Sequence, residues 1–151
     1  ADVARLEWAL QTVANAPAAP PIGSEALSAA APEDTPRLVF TFSPSYAYVA
    51  SRFPIDRIWR VNRPGMESEE TIDLDQGGVA LEIRRAGGVE MRALPAPLFT
   101  FRAALAQGER LDRAAAAAFA QDPDFSLTAA LSALFEDGAV IDIKLAEEND
   151  A

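Results

Sequence analysis

The chain contains no cysteine and no histidine. The first absence excludes disulfides, thiolate catalysis and cysteine-ligated metal, without fixing a compartment. The second removes the commonest general base and the commonest transition-metal ligand. Basic charge is scarce as well: Lys and Arg number 13 against 23 Asp and Glu, for a net charge of −10. That balance opposes nonspecific attachment to nucleic acid or to an anionic membrane, since both require a basic surface. No apolar run approaches the roughly 18 residues of a membrane span, and no stretch has the order of a secretory signal. The expected location is cytoplasmic.

What is present is the composition of a folded domain. The 151 residues are 50% hydrophobic, enough for one domain, or one domain and an appendage, with a sizeable core. The chain begins Ala1-Asp2-Val3, without Met and already inside a helical pattern. It reads as a fragment that lacks an upstream domain.

The remainder is organised around residues 53–65, Phe-Pro-Ile-Asp-Arg-Ile-Trp-Arg-Val-Asn-Arg-Pro-Gly. Pro54 suits the first position of a helix, where its missing N–H costs nothing. Ile55, Ile58 and Trp59 then share one face, with Asp56, Arg57 and Arg60 elsewhere. Asp56 and Arg60 form an i, i+4 acid-before-base pair. Asn62 and Pro64-Gly65 predict a stop after about two turns. So short a helix must be pinned into a core by its Trp and Ile side chains. The stretch is either a packed connector with solvated arginines or a docking surface.

Residues 1–15 predict a helix with Val3, Leu6, Leu10 and Val13 on one face and Trp8 off it. Residues 16–36 are rich in Ala and Pro, with room for a short helix near Ser24–Ala30. Ile22 and Leu27 suggest that this segment lies against the domain, so that the first helix packs back and shelters its Trp. Leu38, Phe40 and Phe42 alternate with Val39 and Thr41 as a strand, and Tyr46–Val49 reads as a second. An acidic loop follows at residues 67–75. Val79, Leu81 and Ile83, the Ala86-Gly87-Gly88 turn, then Val89 and Met91, make a β-hairpin.

Three helices come next, near residues 97–107, from Asp112 to Phe119, and from Asp124 or Ser126 to Phe135. Leu127, Ala130, Leu131, Leu134 and Phe135 complete the amphipathic pattern of the third. Ile141, Ile143 and Leu145 alternate as a closing strand, and residues 147–151 predict a disordered tail. The expectation is an α+β fold: a helix and linker over residues 1–36, then a winged-helix-like domain over 37–146, with a small antiparallel sheet.

A winged helix invites a DNA-binding reading, but its third helix has no Lys, Arg, Asn or Gln, the residues that read bases and hold phosphates. From Pro95 onward, Arg102, Arg110, Arg113 and Lys144 face ten acidic residues. Asp73, Asp75 and Gly78 mimic the start of an EF-hand loop, but Gly77, Leu81 and Arg84 occupy its fifth, ninth and twelfth places. Gly77-Gly78 and Gly87-Gly88 fit no phosphate-binding loop. Catalysis is not expected.

Four stretches together carry a resemblance: Ala4-Arg5-Leu6-Glu7-Trp8-Ala9; the helix at Pro54–Arg60 with Asn62 and Pro64-Gly65; Asp73-Leu74-Asp75 with Gly77-Gly78-Val79; and Asp122-Pro123-Asp124-Phe125. Over nearly its whole length the chain resembles the C-terminal part of the HvfC/BufC-type accessory proteins, a bacterial family that carries a DNA-binding label. The chain is expected to lack the N-terminal helical domain behind that label. The resemblance implies a non-catalytic partner of a multinuclear iron-dependent oxidase, with a winged-helix, PqqD-like element for a precursor peptide. The iron would belong to the partner, since this chain lacks histidine, so no cofactor is expected here. The acidic balance leaves no nucleic-acid partner through this domain and no membrane partner expected. Arg57, Trp59, Arg60, Asn62 and Arg63 would dock the enzyme, since Trp and Arg are enriched in interface hot spots. The peptide would add to a strand edge, at 37–42 or 89–94, beside an apolar helix. Its contacts would be Leu127, Leu131, Leu134, Phe40, Val89 and Met91. The alternative is a transcription-regulatory DNA-binding protein.

Overall fold

The computed structural model describes residues 1–61 and 77–147. In chain order these form α1 (Asp2–Ala14), α2 (Glu25–Ser28), a 3₁₀ turn (Thr35–Arg37), β1 (Leu38–Phe42), β2 (Tyr46–Ser51) and α3 (Ile55–Val61). Then come β3 (Val79–Arg85), β4 (Val89–Ala93), α4 (Ala96–Ala106), α5 (Leu111–Gln121), α6 (Leu127–Glu136) and β5 (Val140–Leu145). The fold is α+β. Where a single small sheet was expected, the described residues form two antiparallel ones, β1-β5 and β2-β3-β4. The closing strand pairs with β1, Phe40 opposite Ile143, and not with the hairpin.

Each sheet has its own core. Leu38 and Phe40 of β1 and Val140 of β5 pack with Phe101 and Leu105 of α4, Ala114 and Ala118 of α5, and Leu134 and Phe135 of α6. Ile22 and Leu27 lie against this core, so the Ala/Pro-rich segment is pressed onto the surface, as its apolar punctuation predicts. The second core joins Leu6, Ala9 and Val13 of α1 to Val49, Ile55, Leu81 and Ile83. The first helix therefore does pack back on the sheet. Its Trp8, however, stays 73% exposed, because the helical stripe that meets the sheet runs through Leu6, Ala9 and Val13 and leaves Trp8 off it.

Two turns matter for the site. Gly87 has φ +81° in the β3–β4 turn, a left-handed conformation that glycine adopts without the steric cost of a Cβ. Gly138, at φ +75°, ends α6 and delivers Asp137 to the face of the three-stranded sheet. Ser126 caps α6 by accepting a hydrogen bond from the Ala129 N–H at 3.2 Å. Pro54 sits just ahead of α3, not inside it, and its carbonyl accepts from the Ile58 N–H at 3.1 Å. Among the described residues no helix is long and apolar enough to cross a membrane. Asn62, Arg63, Pro64-Gly65, the acidic stretch 67–75 and residues 148–151 lie outside the described residues.

Candidate functional site

The three-stranded sheet has one edge on β2 and the other on β4. In an antiparallel pair, successive residues point their N–H and C=O groups alternately toward the partner strand and away from it. The Leu94 N–H donates to the Ala80 carbonyl at 2.9 Å. With Ile83 opposite Met91 and Leu81 opposite Ala93, that bond sets the phase: Glu90 and Arg92 face β3, while Val89, Met91 and Ala93 turn their backbone groups outward. These three make no hydrogen bond to another described residue on that side. The β2 edge is partly capped, since Arg5 donates to the Ala50 carbonyl at 2.9 Å.

Beside the β4 edge lies a groove of about 630 Å³. Glu7, Leu10, Gln11 and Ala14 of α1 form one wall, Trp59 and Arg60 of α3 another, and Val89 and Met91 the strand side. The side chains follow from periodicity. Glu7, Leu10, Gln11 and Ala14 are i, i+3, i+4 and i+7 on α1, while Val89 and Met91 are i, i+2 on β4. Trp59 packs partly against the second core and Met91 does the same. Arg60 is 51% exposed and reaches Asp56 at 3.7 Å, the i, i+4 pair expected from the sequence. Glu7 and Arg60 give the groove one charge of each sign over an apolar floor.

The opposite face of the same sheet carries a buried ionic cluster. Arg102 of α4 donates to Glu82 at 2.6 Å and to Asp137 at 2.8 Å. Arg92 of β4 donates to Glu82 at 2.7 Å and to Asp137 at 3.0 Å, and the Tyr48 hydroxyl donates to Glu82 at 2.7 Å. Glu82 and Arg102 are 0% and 1% exposed. Burial and the Glu82 carboxylate push the Tyr48 hydroxyl well above its ordinary range. Burial alone would lower Arg102, but Glu82 and Asp137 outweigh it and raise it. Burial would raise Asp137, yet hydrogen bonds and charge from Arg102 and Arg92 carry it below the usual carboxylate value. A carboxyl depressed in the folded state contributes stability that is present above its unfolded pKa and lost as pH falls through its folded one. Denaturant midpoints should therefore hold down to about pH 5 and decline below about pH 4. Asp137→Asn should start less stable at neutral pH and show a shallower acid limb; an unchanged limb would remove Asp137 from this account.

The predicted site residues separate into two groups. Trp59, Arg60, Val89 and Met91, assigned in advance to two different partners, meet in one groove. Arg57 lies on α3, partly buried, and does not line it. Phe40 and Leu134 correct the expectation: at 2% and 0% exposure they are core and cannot touch a peptide. Leu127 and Leu131 pack partly against that same core, on a different sheet from Val89 and Met91. Strand 37–42 is not an open edge either, because β5 pairs with one side of β1 and Val39 bridges Arg110 outside it.

Sequence reasoning missed the ionic cluster. Glu82 alternates with Leu81 and Ile83 and so reads as solvent-facing. A signal did exist in α4, where Arg102 is the one charged residue between Ala96 and Ala106. A helix apolar all round is buried, and a buried arginine needs a carboxylate partner. Among the described residues, no group of three or more carboxylates converges on a possible metal position. The groove offers backbone donors and acceptors, apolar surface and two opposed charges, which is equipment for holding a chain. Comparison with known proteins found no matching family model, no matching curated protein and no matching solved structure.

Proposed function

We propose that this chain is a non-catalytic, cytoplasmic accessory module that holds an extended precursor peptide along β4 and docks the iron-dependent oxidase that modifies it. The observation that carries the reading is the β4 edge, with the Val89, Met91 and Ala93 backbone directed outward beside the groove. A peptide added there gains main-chain hydrogen bonds, and its alternate side chains fall into the groove. Met91, Leu10 and Trp59 favour an apolar side chain at that position. Arg60 and Glu7 at the rim set the charges of the neighbouring ones. The resemblance supplies the kinds of partner, and the absence of His and Cys leaves transition-metal chemistry to the enzyme. Nothing in α6, which has no Lys, Arg, Asn or Gln, favours the DNA-binding alternative.

The chain should co-purify with an iron oxidase encoded in its own operon and bind that operon's precursor peptide. Arg60→Ala and Met91→Lys should each weaken peptide binding by about tenfold or more in calorimetry, which is roughly 1.4 kcal/mol, and Arg60→Ala should do so while shifting the melting temperature little. Exposed ion pairs of the Arg60–Asp56 kind are worth about 0–1 kcal/mol to folding. Peptide affinity unaffected by both substitutions would return the groove to a packing feature.

A further inference from the structure

The outward edge of β4 reads Val89-Glu90-Met91-Arg92-Ala93, a sequence with opposite charges one residue to either side of Met91. We infer that this edge is self-complementary, and that two copies of the chain pair antiparallel through β4 when no peptide occupies it, joining two three-stranded sheets into one.

Register follows from the hydrogen-bond phase. Only residues with outward backbone groups, here Val89, Met91 and Ala93, can form the closely spaced hydrogen-bonded pairs of a new antiparallel ladder. A two-fold axis through the Met91 pair sets Val89 opposite Ala93 of the second copy and Met91 opposite Met91. It also places Glu90 opposite Arg92 on both sides of the axis. A shift one way brings Glu90 onto Glu90, and a shift the other way brings Arg92 onto Arg92; like charges directly opposite are destabilising. The central register is therefore the one that uses all five residues and opposes unlike charges twice. Side-chain placement agrees with it. Glu90 is 53% exposed and Arg92 39%, and the bonds from Arg92 to Glu82 and Asp137 hold its guanidinium on the face that Glu90 of the second copy would reach. On the groove face, the two Met91 side chains meet at the axis and extend the apolar floor. The contact is isologous and closes at two chains, which removes the exposed edge without opening a route to fibres.

Self-pairing needs only the open edge. That it gates the groove rests on the peptide reading above, because a peptide and a second copy would claim the same backbone groups.

Sedimentation over a wide concentration series should show a reversible monomer–dimer equilibrium. Glu90→Lys, which sets a lysine opposite Arg92 of the second copy, should raise the dimer dissociation constant by about tenfold or more. Met91→Pro, which deletes an outward N–H that β3 does not use, should abolish the dimer. Circular dichroism should stay unchanged for Glu90→Lys, so that loss of the dimer is separated from loss of fold. The operon's precursor peptide should dissociate the wild-type dimer. A chain that is monomeric throughout, or a dimer indifferent to both variants, overturns the self-pairing whatever the peptide does. A dimer that both variants disrupt, but that the peptide leaves intact, upholds the self-pairing and removes the peptide from this edge.

Discussion

Arg102→Met should destabilise the protein by about 3–5 kcal/mol, because it leaves Glu82 charged and buried without its closest partner. The Arg102–Glu82 contact is the shortest ion pair among the described residues at 2.6 Å, and neither side chain is more than 1% exposed. Against a total stability of about 5–15 kcal/mol, a loss of that size is readily measured by denaturant titration. The double variant Glu82→Leu with Arg102→Met should lose less than the single one, since removing both charges removes the desolvation cost as well. Asp137 and Arg92 are 21% and 39% exposed and can turn to water in that variant. The pair is not fully satisfied even in the native arrangement, where Arg102 Nε is buried and has no hydrogen-bond partner among the described residues. A double variant as damaged as the single would mean that the cluster is held by more than these two charges.

Ile55→Ala should be nearly as costly, at about 2–5 kcal/mol, through the cavity it leaves between α1, α3 and the three-stranded sheet. Ile55 is 1% exposed and belongs to the second core. The sequence expects the Trp and Ile side chains together to pin this helix. The structure assigns that work to Ile55, while Trp59 is partly buried and turned to the groove. Trp59→Ala should accordingly cost less stability than Ile55→Ala but reduce peptide binding, whereas Ile55→Ala should act on folding. Equal stability losses with unchanged binding would make Trp59 an ordinary core residue.

Periodicity made most of the elements legible. The alternation of Leu38, Phe40 and Phe42, the double glycine before Val89, and the full apolar stripe of α6 each specify their element locally. Local patterns cannot say which strands pair. The closing strand could equally have joined the hairpin, and its partnership with β1 depends on how α4, α5 and α6 pack against the two strands. The same limit explains the site. Val89 and Met91 are recognisable as a strand face, and Trp59 and Arg60 as the flank of a helix. Their meeting depends on α1 crossing the sheet to complete the wall. Phe40 and Leu134 differ from the expectation because an apolar residue on a periodic face reads the same whether that face meets a partner or the protein's own core. Glu82 is not legible as buried because alternation assigns it to solvent, and only α4 on that face covers it.

The most direct test of the central claim is amide hydrogen exchange along β4, with and without the operon's precursor peptide, at concentrations where the chain is monomeric. The outward phase of the ladder predicts that the Val89, Met91 and Ala93 amides exchange readily in the unbound chain and slow strongly on binding. Glu90 and Arg92, already bonded to β3, should change far less. Peptide binding that leaves Val89, Met91 and Ala93 exchanging as before would contradict strand addition at this edge.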